Sequence, residues 1–308
     1  MPVRLTNLHP GEYRHPFDAK AIEALQNTKS VSIIIKKLYE WGLEKYLRQQ
    51  FLGQSLRMSP TNFPTVYEVF EAACDILNHK GRPQLYVMRE QGFNCTTLGV
   101  TNTIIIIGTS CIDQLKEEEL LFLLGRQIGH IQNQHVQYFE VSEVLPLISE
   151  ALSDVTLGLG GMIASGIQLA MVEWRQTAHY TADRAGLLAC QNIEAAMRVL
   201  VQEAGLPAGY DPSIVLDDFK TQAIEFEQIN KGIWMKFSKY LTQSVSWEVA
   251  RAQQLFQWTD SGIYQQVLDR KTQLAEAVGL RFCPTCGTKQ ITLRAFCANC
   301  GGKLPLPA

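Results

Sequence analysis

The chain has 308 residues, 46% hydrophobic and 19% charged, with 28 Lys and Arg against 30 Asp and Glu. This balance excludes an intrinsically disordered chain, and a net charge of −2 gives no bulk electrostatic preference for nucleic acid. The length suits one large core plus a small appendage.

The start, Met1-Pro2-Val3-Arg4-Leu5-Thr6-Asn7, lacks the apolar stretch of a signal peptide, which points to the cytoplasm. Residues 18–53 read as helical with a break near Lys29, the second part running to Leu52. Residues 65–77 read as an amphipathic helix entered after Pro64. Residues 84–89 alternate as a strand, and strands near Cys95 and Ile104 complete a small sheet. From Lys116 onward the pattern is helical, with turns at Pro207 and at Gly209-Tyr210-Asp211-Pro212. Residues 155–172 carry no charge, near the minimum length of a membrane span. Thr156, Ser165, Gln168 and four glycines instead favour a buried or peripheral helical hairpin. Both readings stay open, and peripheral membrane contact through 143–172 is part of the expectation. A helix pair over 245–277 closes the globular part.

Two C-x-x-C-G knuckles follow, Cys283/Cys286 and Cys297/Cys300. Four thiolates from two tight turns form a closed tetrahedral zinc site with no open position for substrate. The expectation is one structural zinc per chain, in a zinc ribbon over 281–308 that folds on metal binding. Cys74, Cys95, Cys111 and Cys190 sit among apolar neighbours and read as small buried side chains.

The run Leu124-Gly125-Arg126-Gln127-Ile128-Gly129-His130 has the spacing of an H-E-x-x-H zinc helix. Arg126 stands where the first histidine belongs and Gln127 where the general base belongs; His130 is retained. A guanidinium offers zinc no lone pair, and a carboxamide takes no proton at any useful pH. His135 lies five residues beyond His130, about 140° around an ideal helix, and so is expected to be a helix-surface or packing histidine.

Downstream comes Trp174-Arg175-Gln176-Thr177-Ala178-His179-Tyr180-Thr181-Ala182-Asp183-Arg184-Ala185-Gly186. With residues 94–99, 104–108, 111–115 and 117–120, and with His15-Pro16-Phe17-Asp18, this resembles the HtpX-type zinc metallopeptidases. That is the gluzincin family that includes the CAAX prenyl endopeptidases. The resemblance runs over roughly residues 12 to 280. It implies a zincin-like fold, α+β and mainly helical with a small sheet, as a metallopeptidase-like domain over 1–280. It also implies that His179 occupies the third ligand's position and Asp183 that of the aspartate orienting the first ligand. Arg251 matches a retained arginine, but Val245 replaces a histidine six residues earlier. An Arg126–Asp183 ion pair is the expected substitute for the metal. The strand at 94–99 is either a peptide-binding edge kept from active relatives or simply a core strand.

Three functions follow. The first is a catalytically inactive pseudopeptidase serving as a protein-binding or scaffold module for a protein partner or complex. The second is an active zinc metalloendopeptidase with a rearranged metal site on His130, His179 and a further donor. The third, a nucleic-acid adaptor acting through the ribbon, is disfavoured: the charge of zinc with four thiolates offsets half of Arg281, Lys289, Arg294 and Lys303.

Overall fold

The structure, a computed structural model, describes residues 2–89, 94–155, 159–229, 247–269, 281–282 and 289–290. The chain forms two compact units, Met1–Tyr264 and Gln265–Ala308. The first is mainly helical with one small sheet, an α+β arrangement.

Helix α1 (Pro16–Asn27) opens on His15, whose Nδ1 accepts the Phe17 N–H, with Pro16 at the first helical position. The expected break near Lys29 falls at Thr28. A second break, not expected, separates α2 (Lys29–Glu40) from α3 (Leu43–Leu52). Gly42 turns the chain there with φ +91°, a conformation that glycine adopts without strain. Helix α4 (Pro64–Ile76) follows Phe63.

The sheet holds β1 (Ser55–Arg57), β2 (Gln84–Met88), β3 (Cys95–Leu98) and β4 (Ile104–Gly108) in the order β1-β2-β4-β3. The sequence reading missed β1, which is three residues long. β4 pairs in parallel with β2 and antiparallel with β3, so Ile104 to Ile107 are fully enclosed. β3 lies at one side of the sheet.

After α5 (Thr109–Gln114) comes α6 (Glu117–Gln132), buried at every residue from Glu119 to His130. Such a helix is a core element rather than an amphipathic one. It lies against β3, α4 and α8 (Leu159–Cys190). Small residues set how closely α6 and α8 approach. A Cβ built on Gly125 would stand 2.5 Å from Ala189 Cβ, and one on Gly129 2.5 Å from Ala185 Cβ. Gly186 reciprocates against the Phe122 carbonyl. This close approach brings Arg126 of α6 and Asp183 of α8 face to face.

Helix α7 (Val136–Val155) folds back along α8 as a hairpin, with Phe139 against Trp174 and Arg175 Nη1 donating to Ser142 Oγ. The uncharged stretch is thus divided between the end of α7 and the first half of α8. No helix among the described residues is long and apolar enough to cross a membrane. α9 (Ile193–Glu203), α10 (Leu216–Ile229) and α11 (Glu248–Asp260) complete the first unit. Of the four cysteines expected to be buried, Cys74, Cys111 and Cys190 are; Cys95, on β3, is half-buried.

In the second unit, β5 (Arg281–Phe282) and β6 (Lys289–Gln290) pair antiparallel around residues 283–288. Cys283, Cys286, Cys297 and Cys300 lie outside the described residues, as do Val245 and the boundary expected at 280/281.

Candidate functional site

Arg126 projects from α6 toward α8, where Asp183 waits on the facing turn. Arg126 Nε lies 3.0 Å from Asp183 Oδ1, but its N–H is not directed at that oxygen, so this contact is ionic only. The directed bond of Arg126 runs from Nη1 to Glu203 Oε1 at 2.6 Å. Glu203, at the end of α9, was not anticipated from the sequence. Asp183 instead holds Arg251 of α11 in a bidentate pair, 2.8 Å from Nε and 2.6 Å from Nη2. Arg251 Nη1 also reaches Glu203 Oε2 at 2.7 Å. The four side chains alternate in charge, and a third carboxylate, Glu248 on α11, lies 3.7 Å from Arg251 Nη1. The four are nearly sealed from water: Asp183 is 1% exposed, Arg251 3%, Arg126 6% and Glu203 13%.

Electrostatics follow from this geometry. Burial works to raise the Glu203 pKa, yet Arg126 and Arg251 hold it below the usual carboxylate value. Burial works against the Arg251 cation too, but Asp183 and Glu203 outweigh it and raise its pKa. Glu203 and Arg251 therefore stay charged at neutral pH. The sequence showed three members of this network, Arg126, Asp183 and Arg251; Glu203 is the further carboxylate that bridges the two arginines.

Gln127, in the general-base position, accepts a hydrogen bond from Thr97 Oγ1 of β3 at 2.9 Å. Both residues are buried. Gln127 therefore fastens the helix to the sheet.

His130 lies in an aromatic box. Its ring stands edge-on to Phe139 at 5.1 Å and to His179 at 5.4 Å. Phe139 in turn touches Trp174 and His179. His130 and His179 both have pKa values well below the ordinary 6.5. Burial is the main cause, with neighbouring histidines and Arg126 and Arg251 adding to it. Both are neutral at physiological pH. His179 Nδ1 is buried with no hydrogen-bond partner among the described residues.

His135 corrects the sequence reading. The expected angle assumes a helix that continues past Gln132. In fact α6 ends there, Gln134 takes φ +60°, and α7 starts at Val136. This turn swings His135 inward, fully buried, with its Nδ1 3.0 Å from His130 Nδ1. Its Nε2 lies 3.1 Å from Asp18 Oδ2. Asp18 also accepts from Trp174 Nε1 at 3.1 Å and from Thr181 Oγ1 at 2.7 Å. If His135 donates from Nε2 to Asp18, its Nδ1 is the acceptor and His130 donates from Nδ1. Burial works to raise the Asp18 pKa, but its hydrogen-bonded neighbours His135 and Thr181, and then Arg14, lower it.

A zinc of the peptidase type does not fit these residues. The first ligand's position holds a cation already balanced by Asp183 and Glu203, and a dication beside it would meet direct repulsion. Among the described residues, no group of three or more His, Cys, Asp or Glu is arranged to hold a metal ion. A cleft of about 180 Å³ opens beside the end of β3, lined by Gly99, Val100, Thr103, Ile131, Gln134 and Gln137 among others. None of Arg126, Gln127, His130 or His179 lines it.

The chain is 25% identical over 274 residues to the plastoglobule-localized metallopeptidase 48, chloroplastic, of Arabidopsis thaliana, covering 87% of this chain and 78% of that one. No solved structure matches. The profile of peptidase family M48 matches residues 60–240, and the chain belongs to that family.

Proposed function

We propose that this protein is a pseudopeptidase: a family M48 scaffold that has lost hydrolysis and acts as a protein-binding or scaffold module. One observation carries the reading. The guanidinium of Arg126 stands in the first ligand's place, bound into a buried ion-pair network with Asp183, Glu203 and Arg251. Generating a hydroxide needs a metal or a base at this point; Arg126 and Gln127 supply neither. Incubation with unfolded proteins or peptides should give no chelator-sensitive cleavage, and such cleavage by the purified full chain would overturn the reading.

The zinc of this protein, on the same reading, is structural and held by Cys283, Cys286, Cys297 and Cys300. Support comes from the spacing of the knuckles and from the β5–β6 pairing around the first of them. The partner is a protein or protein complex; nucleic acid stays disfavoured. For location, the sequence reading favours the cytoplasm, with peripheral membrane contact through 143–172, whereas the name of the Arabidopsis relative places that protein at plastoglobules of the chloroplast.

A second reading, an active zinc metalloendopeptidase with a rearranged site, gains one specific observation: His135 now adjoins His130 as a third imidazole beside His179. Against it stand Arg126 and the pairing of His135 with Asp18. Metal content separates the two. The pseudopeptidase holds one zinc per chain, lost on replacing the four cysteines; the rearranged enzyme retains a second.

A further inference from the structure

Residues 29–57 hold six basic and two acidic side chains in a chain whose total charge is −2. They form α2, α3 and β1, and Lys36, Lys37 and Lys45 meet at the α2–α3 corner together with both acids, Glu40 and Glu44. The inner face of α2 is anchored: Val31 and Leu38 are in the core, and Tyr39 donates to Glu140 of α7. Its outer face presents Ile33, Lys36 and Lys37 to solvent. The Trp41 N–H bonds back to the Lys37 carbonyl, and the Tyr46 N–H to the Gly42 carbonyl, so these residues follow one another around the corner. Trp41 is 71% exposed and Tyr46 54%, with Lys45 between them.

The two acids do not cancel this charge. Glu44 is turned to the sheet, where its carboxylate accepts the N–H groups of Thr101 and Asn102. Glu40 pairs with Lys36 at 3.8 Å. Lys37 and Lys45 therefore flank an exposed indole and phenol, with Glu40, set against Lys36, as the exposed acid beside them. An amphipathic ring beside flexible ammonium groups matches the boundary between acyl chains and anionic head groups: the ring enters the apolar edge, and the lysines reach the phosphates. Exposed aromatics alone would suit a protein groove equally. The excess of positive charge at the corner of an otherwise acidic chain favours an anionic lipid surface.

We infer that the α2–α3 corner is a peripheral docking site for anionic lipid surfaces, with Trp41 and Tyr46 entering the interface and Lys36, Lys37 and Lys45 contacting head groups. This inference does not depend on whether catalysis is lost, and it uses a different surface from 143–172.

The test is flotation of the full-length protein with vesicles of phosphatidylcholine alone or with roughly 30% phosphatidylglycerol. The protein should float with the anionic vesicles, and added salt should release it. Lys37→Glu with Lys45→Glu, and separately Trp41→Ala with Tyr46→Ala, should each weaken binding about ten-fold or more. Tyr210→Ala, at another exposed aromatic, should bind like the parent. Brominated lipid should quench tryptophan fluorescence in the parent and much less in Trp41→Phe. No flotation, equal binding to neutral vesicles, or corner variants that bind like the parent would overturn the proposal. So would a corner that loses a protein partner on Trp41→Ala while the parent ignores vesicles.

Discussion

Asp183 receives two guanidinium groups at once: Arg126 Nε approaches Oδ1 to 3.0 Å, and Arg251 grips both oxygens. One aspartate thus couples α6 to α11 through α8, and Glu203 closes the circuit from α9. On the proposed reading, the aspartate that would orient a metal ligand in a working peptidase is here the counter-ion of Arg126. Burying four charges is costly, so the network is no proof of extra stability, but breaking it leaves an unpaired charge. Asp183→Asn should cost about 3–5 kcal/mol in urea unfolding. Glu203→Gln should cost less, because Glu203 is the most exposed of the four. Equal, negligible losses would show that the guanidiniums find solvent elsewhere.

The close contact of α6 and α8 makes a second prediction. Gly129→Ala places a methyl 2.5 Å from Ala185 Cβ, inside any real contact distance, so the helices must part. Overpacking of this kind costs about 1–3 kcal/mol. Ala185→Gly in the same chain should recover part of that loss, despite glycine's own cost in a helix. Thermal melts of the single and double variants test this; a double variant no better than Gly129→Ala alone would place the strain elsewhere.

Much of this arrangement is legible in the residues. Alternation and length mark β2 and β4, Pro64 marks α4, and the H-E-x-x-H spacing locates α6. Asp183 could be paired with Arg126 because both positions belong to recognisable motifs. Glu203 belongs to none, and only charge balance between two buried arginines and one aspartate hinted at a further carboxylate. His135 was misread because an ideal-helix angle assumes continuity, whereas the positive φ of Gln134 has no signature in that residue type. The break at Gly42 was available from a glycine within a helical run. Gly125 and Gly129, spaced like the small residues near 161–170, signalled the tight helix contact but were read only as part of the zinc-helix spacing.

A metal prediction follows from the donor set. Arg126→His with Gln127→Glu restores the helix motif, and His179→Glu supplies the carboxylate of the family pattern. The triple variant should bind a second zinc beyond that assigned to the ribbon cysteines, with Asp183, still held by Arg251, facing the new imidazole. Arg126→Ala alone should not, because removing the cation leaves His130 hydrogen-bonded to His135 and adds no donor. Elemental analysis after dialysis reads the outcome. A second zinc in the unaltered chain would favour the rearranged enzyme instead.

Acid should destabilise the fold before its carboxylates titrate. His15 has its pKa lowered to about 4, by burial first and then by Arg184. His130 and His179 also lie well below 6.5, chiefly through burial. In the unfolded chain all three take protons near pH 6.5. Between the two values the unfolded state holds more protons, so stability rises with pH and is lost as pH falls below about 6.5. Each imidazole contributes up to about 1.4 kcal/mol per pH unit in that window. Asp18, whose pKa is depressed, adds a separate loss once pH falls through its folded value. Urea midpoints from pH 8 to pH 5 should therefore be flat above about pH 7 and decline below it. His179→Gln should make the decline shallower, because it removes one buried neutral imidazole from the balance. A profile unchanged by this substitution would mean that His179 takes its proton at the same pH folded or unfolded, and would overturn its reading as a buried neutral imidazole.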